Sequence, residues 1–254
     1  FAGWPDTLQL NYANPATQQA MLDILLKIAG QCDGVRCDMA MLVLPDVFER
    51  TWGLRPPEFW PGATRRVRER VPGFTFMAEV YWDLEWTLQQ QGFDHCYDKR
   101  LYDRLRALQA QPVRAHLQAG LEYQDKLARF LENHDEPRAA ASFAPGPHAA
   151  AAVLTYCTPG LRFFQQGQFE GCRVQVSPHL VRAPFPVGRG RSRPGLRGHR
   201  SPTFCNMSTS KRSKPAAAPA VHDDFEAVAH APVVLDIEGL TLNDDDRRRL
   251  AHPL

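Results

Sequence analysis

One pattern constrains the fold more than any other: short extended segments end in a carboxylate, and helical patterns separate them. The three clearest segments are residues 34–38, 74–79 and 127–131, and the acids that follow or end them are Asp38, Glu79 and Asp135. Strands that alternate with helices favour right-handed βαβ units and a parallel sheet. The pattern therefore predicts an α/β chain.

The rest of the chain up to residue 164 extends the same alternation. Further strands are predicted at 93–97 and, as a buried strand, at 161–164; helices are predicted at 15–29, 64–70, 83–91, 99–108, 113–117 and 148–156. Asn14 is a good N-cap for the first helix, and Pro15 suits its first position. Five strands are too few to close a (β/α)8 barrel, so we expect a partial one.

The carboxylates at the strand ends are the candidate functional groups of an active site. In parallel barrels the active site lies at the carboxyl ends of the strands, where the βα loops converge. Each acid alone is more often an ordinary loop or capping residue, but three in successive units favour a functional site.

Two basic side chains lie next to these acids in the sequence. Arg36 stands two residues before Asp38, so strand alternation turns both side chains to one face, where the guanidinium would keep Asp38 ionised. The alternative is an exposed surface pair. His134, beside Asp135, could donate a hydrogen bond to a sugar hydroxyl or serve as a structural histidine.

These segments resemble the motifs of the alpha-amylase family, glycoside hydrolase family 13. The matching segments are GVRCD at 34–38, FMAE at 76–79 and FLENHD at 130–135, with QLN at 9–11 as the auxiliary motif and 159–168 as the eighth strand and its loop. The likeness covers residues 1–182 and implies about strands 4 to 8 of a (β/α)8 TIM barrel.

The resemblance implies a retaining double displacement on α-glucans or related α-glucosides. Asp38 would be the nucleophile, Glu79 the acid/base with a raised pKa, and Asp135 the stabiliser of the oxocarbenium-like transition state. The residues that would bind substrate are Arg36, His134, Asn133 and Asn11. No cofactor is implied, although a full-length parent could hold calcium.

The chain also departs from the family pattern. The early Asp-x-x-x-Asn-His motif is absent, so strands one to three are expected to be missing, and Leu42 stands where many amylases carry a polar sugar-binding residue. Hydrolysis and transfer both stay open. So does the alternative that this chain is a catalytically silent fragment or a sugar-binding remnant.

The amino-acid composition excludes or disfavours several classes of protein. Hydrophobic residues make up 44% and charged residues 23%, as in ordinary globular proteins, and no apolar run approaches the ~20 residues of a membrane span. The six cysteines form no CxxC pair, which disfavours a zinc site and suits reduced thiols in a cytoplasmic enzyme. The first residue is Phe1, so we expect the natural chain to begin upstream.

The net charge of +2 hides a basic segment. Residues 183–220 hold eight Lys and Arg and no acid, which leaves 22 basic against 28 acidic residues elsewhere. This segment lacks apolar periodicity and predicts a disordered linker or a frameshifted scar. Nucleic-acid binding is the rival interpretation, but its arginines lie in no helical pattern, so we expect neither a nucleic-acid nor a membrane partner.

The tail at 221–254 predicts a strand at 233–237 and a helix at 242–252. It resembles the opening strand and helix of a family 3 beta-N-acetylhexosaminidase, or else is an ordinary βα tail. That family's catalytic residues lie beyond such an opening, so no site residue is carried over.

Overall fold

The structure is a computed structural model, and it describes residues 8–177 and the strand Leu235–Asp236. Its strands are β1 (Gly34–Cys37), β2 (Thr75–Ala78), β3 (His95–Tyr97), β4 (Leu127–Arg129), β5 (Leu161–Arg162) and β6 (Leu235–Asp236). Its helices are α1 (Pro15–Ala29), α2 (Pro45–Trp52), α3 (Trp60–Arg70), α4 (Glu85–Gln90), α5 (Lys99–Arg106), α6 (Ala110–Leu117), α7 (Leu121–Asp125), α8 (Ala139–Ser142) and α9 (Pro145–Tyr156). The predicted α/β alternation is confirmed.

The described chain divides into two compact units, one up to Met77 together with β6, the other from Ala78 onwards. In the first unit, α1 begins as predicted: the Asn14 side chain accepts a hydrogen bond from the Ala16 N–H, and Pro15 occupies the first position. In the same unit the Thr75 N–H donates to the carbonyl of Asp33, which joins the starts of β1 and β2.

In the second unit, three strands pair in parallel in the order β3, β4, β5. Cys96 lies opposite Leu127, and Ala128 lies opposite Leu161. A parallel pair needs a crossover between its strands, and α5 to α7 supply it between β3 and β4.

The strands are buried on both faces, as strands of parallel sheets are. Every residue of β1, β2 and β4 is buried. The prediction of a buried strand at 161–164 is wrong: Leu161 is partly exposed and Arg162 is exposed. Within the described residues β5 is the last strand of its sheet, with β4 on one side only, and this edge position leaves its side chains in contact with solvent.

Three helices of the structure, α2, α7 and α8, have no counterpart among the predicted elements. No element is predicted at 40–52, yet this segment forms a 3₁₀ turn and α2, with Pro45 at the first helical position and Gly53 in the left-handed region (φ 69°) at the end. Helices α7 and α8 are only five and four residues long, too short for a periodic pattern.

Some predicted elements lie wholly or partly outside the described residues. These are residues 178–182 of the barrel segment, the basic segment 183–220, and the helix at 242–252. Within the predicted strand at 233–237, β6 pairs in parallel with β1, with Leu235 opposite Val35 and Asp236 opposite Arg36. In the part of the chain that is described, no helix is long and apolar enough to span a bilayer.

Candidate active site

Asp38 lies directly after β1 in the first unit, on the same face as Arg36. The Arg36 side chain is only 2% exposed, whereas the Asp38 side chain is 67% exposed, and Arg36 Nη1 lies 2.5 Å from Asp38 Oδ1. The predicted pair therefore forms, between a buried guanidinium and an exposed carboxylate. A charge-assisted contact of this kind fixes the orientation of the carboxylate.

The neighbouring thiol does not compete with Asp38 as a nucleophile. Cys37 is buried, and burial raises the pKa of its thiol to about 12. The thiolate is the reactive form of cysteine, so Cys37 is inert at neutral pH.

Asn11, also in the first unit, has its side chain engaged in a local turn. Its Oδ1 accepts a hydrogen bond from the Ala13 N–H at 3.0 Å, and its carbonyl accepts one from the Asn14 N–H at 3.1 Å. The turn leads directly into α1. The contact of Asn11 with substrate stays a prediction.

In the second unit, Glu79 follows β2 directly and is 4% exposed. Val80 is fully buried, and the chain alternation then turns Tyr81 back to the face of Glu79. The Tyr81 hydroxyl donates a hydrogen bond to Glu79 Oε1 at 2.8 Å. Burial, followed by the charges of Glu79, Asp135 and Glu136, strongly raises the pKa of the Tyr81 phenol, so it is a neutral donor at every working pH.

Sequence reasoning missed Tyr81. The signal was available, because an i, i+2 spacing after a strand places both side chains on one face. A tyrosine at that spacing is also common in ordinary strands, so the spacing alone does not distinguish a site residue from a packing residue.

Asp135 lies six residues after the end of β4, in a tight turn rather than directly at the strand end. The Asn133 Oδ1 accepts hydrogen bonds from the Asp135 N–H at 3.0 Å and the Glu136 N–H at 2.9 Å, and Asn133 is buried. Asn133 therefore holds the loop that presents Asp135, and its contact with substrate stays a prediction.

Asp135 itself is half exposed, and the imidazole of His134 lies beside it. His134 Nε2 lies 3.1 Å from Asp135 Oδ2, and the carbonyl of His134 accepts a hydrogen bond from Gln175 at 3.0 Å. An exposed carboxylate beside an imidazole can accept hydrogen bonds from sugar hydroxyls while the ring donates others.

Next to these residues, Glu136 is held by two cations. Its Oε1 lies 3.1 Å from Lys99 Nζ, and its Oε2 lies 3.4 Å from Arg106 Nη1. Because both cations come from α5, the loop that carries Asp135 is tied to that helix.

The same loop is fixed at its other end by a buried ion pair. Arg138 Nη1 lies 3.1 Å from Glu132 Oε1, and Glu132 Oε2 accepts a hydrogen bond from the Ala139 N–H at 2.5 Å. Burial raises the pKa of Glu132, while the bond from Ala139 and the charge of Arg138 oppose this shift.

A cavity of about 490 Å³ opens beside Tyr81 in the second unit. Its lining includes Trp82, which is 51% exposed, and the ion pair of Asp83 with Arg100. Trp82 and Asp83 both adopt positive φ angles (61° and 64°), which non-glycine residues rarely do and which cluster at functional sites.

Among the described residues, no group of three or more His, Cys, Asp or Glu is placed to hold a metal ion.

Comparison with known proteins supports the fold. The solved structures that resemble this chain include an alpha-amylase from Lactobacillus plantarum (24% identity, TM-score 0.53, covering 68% of this chain and 44% of that one). Others are an alpha-amylase from H. orenii (23%, 0.53, 72% and 40%) and the Nostoc punctiforme debranching enzyme (20%, 0.52, 70% and 40%). No protein-family model matches the chain, and no curated protein matches it.

These likenesses define the class of fold: an α/β chain that forms part of a TIM barrel, as the sequence predicted. The chain spans 40–44% of the length of the three structures named. No comparison supports the resemblance of the tail to a family 3 hexosaminidase.

Proposed function

We propose that this chain is the catalytic part of a retaining α-glycosidase of the alpha-amylase family that acts on α-glucans or related oligosaccharides. The observation that carries the proposal is the buried Glu79 directly after β2, hydrogen-bonded to Tyr81, with the charge of Asp135 acting on the same phenol. Two carboxylates in unlike surroundings, one buried and one half exposed, are what acid/base catalysis beside a charge-stabilising group requires.

In the proposed reaction Asp38 attacks the anomeric carbon while the bond from that carbon to the leaving oxygen breaks. Glu79 gives its proton to that oxygen, and a glycosyl ester forms on Asp38. Glu79 then takes a proton from water, and the water oxygen attacks the anomeric carbon while the ester bond to Asp38 breaks. The sugar leaves with its original anomeric configuration, and Asp38 is free again.

The other predicted residues have supporting roles in this proposal. Asp135 stabilises the developing positive charge and accepts hydrogen bonds from sugar hydroxyls, with His134 beside it. Arg36 holds Asp38, Asn133 holds the turn of Asp135, and Asn11 contacts substrate.

Trp82 and the cavity next to Tyr81 provide a place for the sugar units on the leaving-group side. An exposed indole stacks on the apolar face of a sugar, and the charged groups around it can bind hydroxyls. A cytoplasmic site of action belongs to this proposal as well.

The second candidate is a sugar-binding remnant without turnover. The observation that favours it is the span of the chain, which covers less than half of each solved structure named above. Such a remnant would bind maltooligosaccharides and release no product.

The test is turnover of an aryl α-maltooligosaccharide by the chain and by Glu79→Gln, with Glu122→Gln as the control. Glu122 is exposed in α7 of the same unit, so the control makes the same chemical change away from the site. We expect α-configured product and a loss of at least about 10³-fold in kcat for Glu79→Gln only. Binding without turnover would select the second candidate, and β-configured product would contradict the retaining mechanism.

A further inference from the structure

Tyr81 is the strongest unassigned feature of the site. Its hydroxyl lies 2.8 Å from Glu79 Oε1, at hydrogen-bond distance, and it donates because an ionised carboxylate only accepts. Glu79 is almost completely buried, so this bond is shielded from competing water.

We propose that Tyr81 is a positioning residue for Glu79: by holding Oε1, it directs the exchangeable proton of the protonated carboxyl to Oε2. The consequence for catalysis rests on the proposed function, whereas the hydrogen bond and its effect on Glu79 do not.

The reason lies in the unequal oxygens of a protonated carboxyl. The carbonyl oxygen is a better acceptor than the hydroxyl oxygen, so a donor fixed on Oε1 favours the form in which Oε1 is the carbonyl. In the proposed reaction the proton then leaves from Oε2 to the glycosidic oxygen, and the proton taken from water returns to Oε2.

The surroundings keep the phenol in place as a donor. Burial and then the charges of Glu79, Asp135 and Glu136 raise the pKa of the phenol and so favour its neutral form, while the cations Lys99 and Arg100 line the cavity beside it. Glu136 is itself paired with Lys99 and Arg106. Among the described residues, Glu79 is the acceptor of the hydrogen bond from the hydroxyl.

A neutral donor also stabilises the ionised carboxylate more than the protonated one. Loss of the hydroxyl should therefore make Glu79 easier to protonate. For one hydrogen bond to a charged group we expect a rise of about 1 in the pKa of Glu79, a tenfold change in its acid dissociation constant.

The test compares Tyr81→Phe with Tyr156→Phe in the full 254-residue chain. Tyr156 is a suitable control because its hydroxyl accepts a hydrogen bond from Gln168 in the same unit. Glu79 is titrated by its side-chain ¹³C signal, assigned by its loss in Glu79→Gln, and kcat/KM on the aryl α-maltooligosaccharide is measured against pH.

We expect Tyr81→Phe to move both the carboxyl titration and the basic limb of kcat/KM to higher pH, and Tyr156→Phe to move neither. An unmoved titration of Glu79 overturns the inference, even if Glu79→Gln abolishes turnover and so supports the proposed function. If the unsubstituted chain shows no turnover but the titration moves, the positioning role holds and the proposed function fails.

A reciprocal measurement covers the case in which Tyr81→Phe does not fold. Removal of the carboxylate in Glu79→Gln should lower the pKa of the Tyr81 phenol, measured by its ¹³Cζ signal in protein with labelled tyrosine. A phenol that titrates unchanged in Glu79→Gln would overturn the inference on its own.

Discussion

At the scale of single residues, His95 makes the stability of the second unit depend on pH. It opens β3, burial lowers the pKa of its imidazole below the ordinary value of 6.5, and Asp94 opposes the shift only in part. Its Nδ1 is buried and has no hydrogen-bond partner among the described residues. The neutral ring is therefore the form that the fold accepts.

This depressed pKa predicts a loss of stability as the pH falls. Below about pH 6.5 the unfolded chain binds a proton that folded His95 resists, so the free energy of unfolding should decrease by up to about 1.4 kcal/mol per pH unit until the folded ring titrates too. Urea denaturation between pH 7 and 5 should show this component in the unsubstituted chain and lack it in His95→Phe.

The matched control is His148→Phe, since His148 is a partly buried ring in α9 of the same unit. It should keep the pH dependence that His95→Phe removes. If the two variants show the same curve, the account of His95 is wrong.

At the scale of elements, one buried ion-pair cluster joins β3, β4 and α6. Asp98, directly after β3, accepts from the Leu101 N–H at the start of α5. Its Oδ2 lies 2.5 Å from Arg129 Nη1 in β4 and 3.0 Å from His116 Nε2 in α6, and all three side chains are buried.

Removal of the Asp98 charge should be costly because it leaves the buried guanidinium of Arg129 without its carboxylate. For Asp98→Asn we expect the free energy of unfolding to fall by about 3–5 kcal/mol, measured by urea denaturation at pH 7. Asp103→Asn is the control: Asp103 is half exposed and pairs with Lys99 within α5, so its loss should cost under about 1 kcal/mol. Equal losses in the two variants would contradict the role of the cluster.

Some strands and helices of this fold can be predicted from the sequence, and others cannot. The strands 34–38 and 74–79 were located because they are short, apolar and bounded by turn residues, and the structure differs from the prediction only at their ends. Helix α2 is absent from the prediction because its eight residues carry only about two turns of periodic signal. The exposure of β5 could not be predicted because its edge position is a tertiary property that its own residues do not reveal.

For the candidate site, sequence indicated the acids but not their surroundings. The Arg36–Asp38 contact follows from their spacing, whereas the exposure of Asp38 and the burial of Glu79 depend on packing. The hydrogen bond of Tyr81 and the capping of the Asp135 turn by Asn133 depend on loop conformation, which has no periodic signal.

At the scale of the whole molecule, the unpaired edge of the sheet at β5 favours association between copies of the chain. Within the described residues β5 has a strand on one side only, and an unpaired edge exposes backbone N–H and C=O groups that invite association. We expect the purified chain to associate as its concentration rises, measured by light scattering, and its thermal melting, followed by circular dichroism, to become irreversible as it associates. Reversible, cooperative melting as a monomer would contradict this expectation.

The basic segment 183–220 also concerns the molecule as a whole, and it lies outside the described residues. Its eight positive charges without an acid contrast with the net negative charge of the remainder. We propose that it is a frameshifted scar, so another reading frame of its DNA should encode an acidic continuation with helical periodicity. If neither other frame does so, the segment is a genuine linker.

The proposed mechanism requires Asp38 to form a covalent glycosyl ester during turnover. The direct measurement is incubation of the chain with 5-fluoro-α-glucosyl fluoride, followed by mass spectrometry of the intact chain and of its peptides. We predict one added fluoroglucosyl group, on the peptide that contains Asp38, and none in Asp38→Asn; Asp46→Asn, an exposed acid of the same unit, should label normally. Labelling on a different residue, or labelling that persists in Asp38→Asn, would contradict the account.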